Sequence, residues 1–453
     1  MQFSLSMVAR VLDQVVPAVD QSIHDVVIDS RITAAQDLFV AIKGASFDGH
    51  DFVMQAVANG AIAVVVERPL EAEIPSNIVV FQVPNTREAL GKLASAYRQL
   101  FNIPFIAITG SCGKTSTKTL AAHVLSQKGK TLATIGTLNN DIGVPLTLFR
   151  LTAEDQFAVL ELGANHVGEI DYLSKIVLPT VAAITNTGPV HLEGFGSIEG
   201  VRKGKGEIYE NLSEDGIGIV NLDDEGARQW LEVLSGKSII TIGIANKADI
   251  YATDITLNEN LQASFSLHIK NQFLKINLPL IGVHQVYNAL IAAAVGVSQG
   301  LNLDEIQAGL ESTPLVEKRG VMQKGYHRAW LIDDSYNANP KAFNAAIKLL
   351  MSAKQVRQHI LVMGDMGELG EDSWSFHAEV GAFAKQSGVT ALYAVGNLSR
   401  AACESFGANA FHFPDQDSLI QALKHIADAD VCFLIKGSNS SRMENVVKAL
   451  IVE

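Results

Sequence analysis

The segment Ile106-Ala107-Ile108-Thr109-Gly110-Ser111-Cys112-Gly113-Lys114-Thr115-Ser116-Thr117 joins an apolar, β-branched run to a helical pattern. No other feature restricts the chain as much. Gly110 and Gly113 let the backbone curl until successive N–H groups point inward, the following helix adds the positive end of its dipole, and Lys114 supplies a point charge. A strand, loop and helix of this kind cradle the outer phosphates of a nucleoside triphosphate, with Thr115 offering its hydroxyl to Mg²⁺. The common pattern has a further glycine five positions before Gly113. Here that position is Ile108, so the match is to a Thr-Gly-x-x-Gly-Lys-Thr variant. ATP or GTP is the expected ligand, held by Thr109, Gly110, Ser111, Cys112, Gly113, Lys114, Thr115 and Ser116.

Such a loop needs a parallel sheet around it, and the remaining sequence alternates short β-rich apolar runs with longer helical patterns. An α/β fold is expected. The 453 residues suggest about three domains at roughly 150 residues each. Asn102-Ile103-Pro104 and Ser312-Thr313-Pro314 break the pattern, giving expected domains of 1–102, 103–313 and 314–453. In the central block Ala263 to Ile269 and Phe273 to Leu278 alternate, as an antiparallel pair added to a mostly parallel core would. The last block repeats the strand-then-helix rhythm of a Rossmann-like fold, but no G-x-G-x-x-G follows its first strand. Fold alone therefore implies no dinucleotide there.

Composition removes other classes. With 35 basic against 48 acidic residues the net charge is −13, which argues against bulk binding to nucleic acid or anionic lipid. Cys112, Cys403 and Cys432 are too few and too scattered for a disulfide framework and favour a reducing compartment. The longest apolar run, Ala289 to Val297, falls short of the ~20 residues that span a bilayer, and no basic stretch leads into an export-type apolar segment. A cytoplasmic, monomeric protein without membrane insertion is expected.

A triphosphate brings Mg²⁺, a hard cation that takes oxygen ligands at the C-terminal ends of strands beside the loop. Glu161 ends the apolar run Phe157-Ala158-Val159-Leu160 and has that position. His191 follows the next strand, Val181 to Thr185, and approaches the same place, although a lone histidine is more often structural. Lys203 and Lys205 enter a helix in Arg202-Lys203-Gly204-Lys205-Gly206. As ammonium groups neither ligates a metal, and the plain reading is a basic face that attracts phosphate.

These residues resemble those of the Mur ligases, the ATP-dependent enzymes that extend the peptide of the peptidoglycan precursor, and the likeness covers nearly the whole chain. Asp29-Ser30-Arg31, Leu38 to Gly44 and Phe47-Asp48-Gly49-His50 are similar to the family's uridine-binding segments; Thr109 to Thr117, Glu161-Leu162-Gly163 and Asn186 to Leu192 are similar to its ATP and metal segments. Four further stretches resemble the branch that adds D-alanyl-D-alanine to UDP-N-acetylmuramoyl-tripeptide: Leu138 to Pro145, Asp333 to Pro340, Met363 to Gly370, and Lys436 to Glu444. The Asp-Asn-Pro-Arg motif of the diaminopimelate-adding relative is absent from the sequence.

The resemblance implies a uridine-nucleotide-binding first domain, a central P-loop ATPase domain and a Rossmann-like C-terminal domain that takes the incoming dipeptide. It makes Lys114, Lys205 and His191 the catalytic set. His191 becomes a ligand of a second Mg²⁺ beside Thr115 and Glu161, and Lys205, with Lys203 as the alternative, becomes a carbamylated lysine able to ligate it. It places His284 and Asn288 against adenine, and carries Arg319 and Asp334 to the phosphates and ribose. Ser30, Arg31, Asp48, Gly49, His50, Asn139, Asn140, Asn337 and Asn339 become substrate-binding. Without it, the helix after His284 reads as ordinary core and Arg319 and Asp334 as solvated loop charges. A folate polyglutamate ligase would lack the segment Asp29 to Gly49. A nucleotide-gated switch or transport ATPase would hydrolyse ATP without regard to a dipeptide.

Overall fold

The computed structural model describes residues 3–451, so the outermost ends of the expected first and last domains, residues 1–2 and 452–453, lie outside the described residues. Three sheets carry the chain. In the first, β1 (Val26–Val27), β2 (Leu38–Val40), β3 (Ala63–Val66) and β4 (Val79–Gln82) run parallel in chain order. All four residues of β3 are buried, which is why it reads as an unbroken apolar run and not an alternation. The helix Thr86–Arg98 follows, its first turn capped by the Asn85 side chain, which accepts from the N–H groups of Arg87 and Glu88.

The central sheet comprises β5 (Phe105–Thr109), β6 (Thr131–Ala133), β7 (Phe157–Glu161), β8 (Val181–Ile184), β9 (Ile217–Asn221), β10 (Ser238–Gly243), β11 (Ile250–Leu257), β12 (Gln262–Ile269) and β13 (Gln272–Ile281). Their order is 13-12-11-10-9-8-5-7-6. From β6 to β11 every pairing is parallel, and β12 and β13 add antiparallel. The chain leaves β5 toward β7 on one side and returns to β8 on the other, which opens a crevice at its C-terminal end. Sequence periodicity passes over β11. A register shift between Thr253 and Thr256, with Asp254 at φ 52°, breaks its alternation.

The third sheet orders β14 (Val321–Lys324), β15 (Trp330–Asp334), β16 (Gln358–Met363), β17 (Ala391–Val395), β18 (Ala410–Phe413) and β19 (Val431–Lys436) as 14-15-19-16-17-18. Only β14 is antiparallel. The two edge strands escape a reading by pattern because neither has a buried residue.

One apolar cluster runs from Phe3 through the first sheet and across one face of the central sheet to Leu234. The other face is covered by the helices Lys114–Ser126 and His284–Ser298. Ala289 to Val295 are fully buried, so the second helix is apolar all round because it is enclosed. Among the described residues no helix is long and apolar enough to cross a membrane.

Candidate active site

At the C-terminal end of β5 the chain turns through Gly110, at φ 145°, and Gly113, at φ 82°, before the helix Lys114–Ser126 begins. A Cβ on Gly110 would lie 2.0 Å from Thr185 Oγ1, so this position needs glycine sterically as well as conformationally. The segment after β8 braces the loop. Thr185 Oγ1 and Asn186 Nδ2 donate to the Cys112 carbonyl at 2.6 and 2.9 Å, Asn186 Oδ1 accepts from Cys112 N–H at 3.2 Å, and the Asn186 carbonyl accepts from Ser111 N–H at 2.9 Å. Lys114 folds back to donate to the Gly110 carbonyl at 2.7 Å. Burial pushes its pKa down while Glu161 pulls it up.

Beside the loop, Thr115 Oγ1 donates to Glu161 Oε2 at 2.8 Å, and Asn139 Nδ2 donates to Oε1 at 2.8 Å. Glu161 is 1% exposed, a carboxylate held by neutral donors next to Lys114. Among the described residues no three His, Cys, Asp or Glu side chains gather closely enough to hold a metal by themselves. A cation here would draw on the Thr115 hydroxyl, the Glu161 carboxylate and oxygens of the ligand itself.

His191 stands at φ 48° in the loop after β8. Its Nδ1 is hydrogen-bonded to Glu368 of the third domain, and among the described residues Nε2 has no hydrogen-bond partner. Burial lowers its pKa, opposed by Glu368, while Lys114 and Lys205 lower it further. Lys205 is 1% exposed and among the described residues donates only to the Ala164 carbonyl, at 3.0 Å; Lys203 is exposed. Desolvation drives Lys205 well below the ordinary lysine range, and Lys114 adds to the effect.

A cleft of about 1530 Å³ lies between the three domains and takes in Lys114, Glu161, His191, Asn139, Asn140, His284, Asn288, Arg319, Asp334, Asn337 and Asn339. Within it Asn288 backs the phosphate loop: Oδ1 accepts from Thr117 Oγ1 at 3.0 Å, and a Cβ on Gly113 would strike it at 2.6 Å. Arg319 lies over the Tyr336 ring at 4.0 Å. Asp334 pairs with Lys436 at 2.6 Å. Asn339 caps the helix Pro340–Leu350 and reaches Cys112 Sγ with Nδ2 at 3.1 Å.

The first-domain residues form a separate group that does not line this cleft. Ser30 Oγ donates to Gln55 at 2.8 Å, and Arg31 pairs with Asp29 at 2.6 Å. His50 is buried, bonded through Nδ1 to Asp48 at 2.6 Å, and accepts at Nε2 from the Glu67 N–H at 2.9 Å. A Cβ on Gly49 would lie 2.6 Å from Ile42 N. What the first domain does extend into the cleft is Asn85, Arg87 and Glu88. Arg87 bonds Asp141 Oδ2 at 2.7 Å.

Arg87, Lys341, Glu368 and Lys436 are cleft or contact residues to which the sequence assigned no role, although Glu368 and Lys436 lie in two of the stretches that carry the family likeness. Lys436 carries the same mark that drew attention to Glu161, a charged residue closing an apolar strand. Arg87 and Lys341 carry none, because their partners, Asp141 and the Thr187 carbonyl, lie in another domain.

Comparison with known proteins agrees with this arrangement. Family models described as "Mur ligase family, catalytic domain", "Mur ligase middle domain" and "Mur ligase, glutamate ligase domain" match residues 22–98, 108–296 and 320–439. The UDP-N-acetylmuramoyl-tripeptide–D-alanyl-D-alanine ligase of Escherichia coli (strain K12) is 42% identical over 450 residues, 99% of this chain and 98% of that one. The crystal structure of MurF from Acinetobacter baumannii matches with a TM-score of 0.90 at 36% identity over 97% of both chains. MurF ligase from Thermotoga maritima, solved in complex with ADP, matches with a TM-score of 0.85 at 28% identity, over 94% of this chain and 96% of that one. A phosphate loop braced by its neighbouring strand, a buried carboxylate beside it and likeness along the full length lead to one conclusion: the chain belongs to the Mur ligase family.

Proposed function

We propose that this chain is the ATP-dependent ligase that joins D-alanyl-D-alanine to UDP-N-acetylmuramoyl-tripeptide in peptidoglycan precursor synthesis. The observation that carries this reading is the 42% identity to a ligase of that name along 98% of its length. The chemistry is amide formation from a carboxylate and an amine, and a carboxylate's negative charge makes it a poor electrophile. ATP removes the difficulty. The tripeptide's terminal carboxylate oxygen takes the γ-phosphoryl group, the bond to the bridging oxygen of ADP breaks, and Lys114 with the loop N–H groups stabilises the charge in transit. The dipeptide amine then attacks the acyl carbon of the acyl phosphate, inorganic phosphate leaves, and the nitrogen gives up a proton.

Mg²⁺ would be held by Thr115 and Glu161, and supplies charge neutralisation on the phosphate oxygens when bound. For a second ion, His191 offers Nε2. Lys205 suits carbamylation because burial, with the Ala164 carbonyl as its acceptor, disfavours the charged ammonium and so favours an amine nucleophilic toward carbon dioxide; the carbamate, formed with loss of a proton, is an anionic oxygen donor near Lys114 and His191. An added carbon dioxide mass on Lys205, or a carbamate signal after labelled bicarbonate, tests this; an unmodified Lys205 in the active enzyme contradicts it.

The proposed division of labour is 1–102 for the uridine precursor, through Ser30, Arg31, Asp48, Gly49 and His50, 103–313 for ATP, with His284, Asn288, Arg319 and Asp334 around it, and 314–453 for the dipeptide. The dipeptide takes the smaller chamber of about 590 Å³, where Asn337 and Asn339 stand near Lys114 and His191. One chain carries all three sets of contacts, so a monomer in the cytoplasm suffices. Phosphate release measured with and without dipeptide and UDP-muramoyl-tripeptide tests the reading: release that needs both supports it, and release indifferent to the dipeptide overturns it. Oxygen-18 in the tripeptide's terminal carboxyl is expected in the liberated phosphate.

A further inference from the structure

Lys436 closes β19, the strand between β15 and β16 in the third sheet, and is 2% exposed. Its ammonium donates to Asp334 Oδ2 at 2.6 Å, to the Asn337 carbonyl at 2.8 Å and to the Asp334 carbonyl at 3.4 Å. All three donors are thus spent on one stretch of chain, Asp334 to Asn337. The Phe343 ring lies 5.7 Å from the same ammonium. Asp334 and Lys436 face each other directly in the β15–β19 register, and both line the cleft. The Asp334 side chain is 26% exposed against 3% for Lys436, so the carboxylate meets the cleft and the lysine stands behind it. Asp334 Oδ1 has no hydrogen-bond partner among the described residues, and His284 lies close enough across the domain boundary to feel both charges.

An unpaired carboxylate at this place would face a polyphosphate with the wrong sign and with rotational freedom. A buried ammonium cancels the charge and fixes the rotamer, which leaves one oxygen to accept from a neutral donor such as a sugar hydroxyl. We propose that Lys436 is a positioning residue for nucleotide binding, acting through Asp334 and the Asp334–Asn337 segment. The inference rests on the nucleotide reading of the cleft. It concerns how tightly and in what pose nucleotide is held, and leaves phosphoryl transfer to the loop around Lys114.

The test is a cycle of Lys436→Met, Asp334→Asn and the double variant, each assayed for ADP binding by calorimetry and for the KM of ATP and of dipeptide. Lys436→Met is expected to weaken ADP and raise the ATP KM roughly tenfold or more, with a smaller change in the dipeptide KM. Together the two substitutions should weaken ADP little beyond Asp334→Asn alone, since the carboxylate that Lys436 orients is then gone and only its two backbone contacts remain to lose. Where Lys436→Met fails to fold, the double variant, which buries no lone charge, supplies the decision by comparison with Asp334→Asn. Losses that add in the double variant, or an ATP KM within twofold of the parent for a folded Lys436→Met, overturn the proposal. Failure of the parent itself to bind ADP would instead strike at the nucleotide reading.

Discussion

The two domain junctions are built from opposite materials. At the first, Tyr97 packs edge-on or tilted against Phe3, Phe101 and Phe149 at 5.7, 5.2 and 5.8 Å, and its hydroxyl donates to the Leu151 carbonyl at 2.8 Å. Arg98 donates to the Val177 carbonyl at 2.7 Å, and a Cβ on Gly91 would lie 2.3 Å from the Tyr172 hydroxyl. First sheet and central sheet share one continuous core. At the second junction the contacts are mainly polar: Asn339 to Cys112, Lys341 to the Thr187 carbonyl at 2.7 Å, His191 to Glu368, and Gln355 to the Glu259 carbonyl at 3.1 Å. Among the described residues the apolar clustering there joins Leu261 and Ile281, with Leu257 beside them, to the third domain's core. Water can replace most of these partners at small cost, whereas nothing replaces a shared core. The first junction is therefore expected to stay closed, and the second to open for substrates and shut around the acyl phosphate.

The comparison predicts where a substitution will be felt as stability and where as turnover. Tyr97→Ala removes an aromatic that bridges both sides of the first junction and should cost about 3–5 kcal/mol, as large core truncations do. Chemical denaturation measures it, and a loss under about 1 kcal/mol would mean the shared core does not bind the two domains together. Lys114→Ala, at the second junction, should lower turnover by ~10² to 10³ with little change in the denaturation midpoint. Near-normal ligation by that variant would remove the phosphate loop from the mechanism.

What the sequence discloses follows the same division. The phosphate loop is legible because its glycines answer a local backbone demand, met here at Gly110 and Gly113. Buried strands such as β3, β5 and β8 are legible because enclosure on both faces leaves a continuous apolar run. β11 is lost to its bulge, β14 and β18 to their exposed edges, and β6 is only three residues long. At the site, Glu161 is visible as a carboxylate ending an apolar strand, but its grip on Thr115 and Asn139 is a matter of packing between segments far apart in the chain. The pairs His191–Glu368 and Lys341–Thr187 join residues 177 and 154 positions apart, and no local pattern records them. Asp48 and His50 carry the opposite lesson. Polar residues in a likeness-bearing segment are here bonded to each other and to the Glu67 backbone, which makes them supports of the first domain's fold as well as proposed contacts of the precursor.

The smallest effect is also the one that isolates the second junction. Cys112 sits in the phosphate loop two residues before its helix, partly exposed, with its sulfur against Asn339 Nδ2. The other two thiols are poor nucleophiles, since burial pushes Cys403 up to about 11 and Cys432 to about 12. Slow alkylation at neutral pH should therefore mark Cys112 first, and its rate should follow how often the third domain lifts from the loop. Lys341→Ala removes the nearby contact to Thr187 from a side chain that is 48% exposed. Its effect on global stability should stay within about 1 kcal/mol, as for other exposed polar contacts. Alkylation of Cys112 should nevertheless quicken several-fold, and saturating ATP should slow it in both proteins. The same substitution should leave the Tyr97 side of the molecule untouched, so hydrogen exchange at the Thr86–Arg98 helix must not change. Exchange that rises there together with Cys112 labelling would show the two junctions opening as one unit, and the contrast between a fixed and a moving joint would not hold.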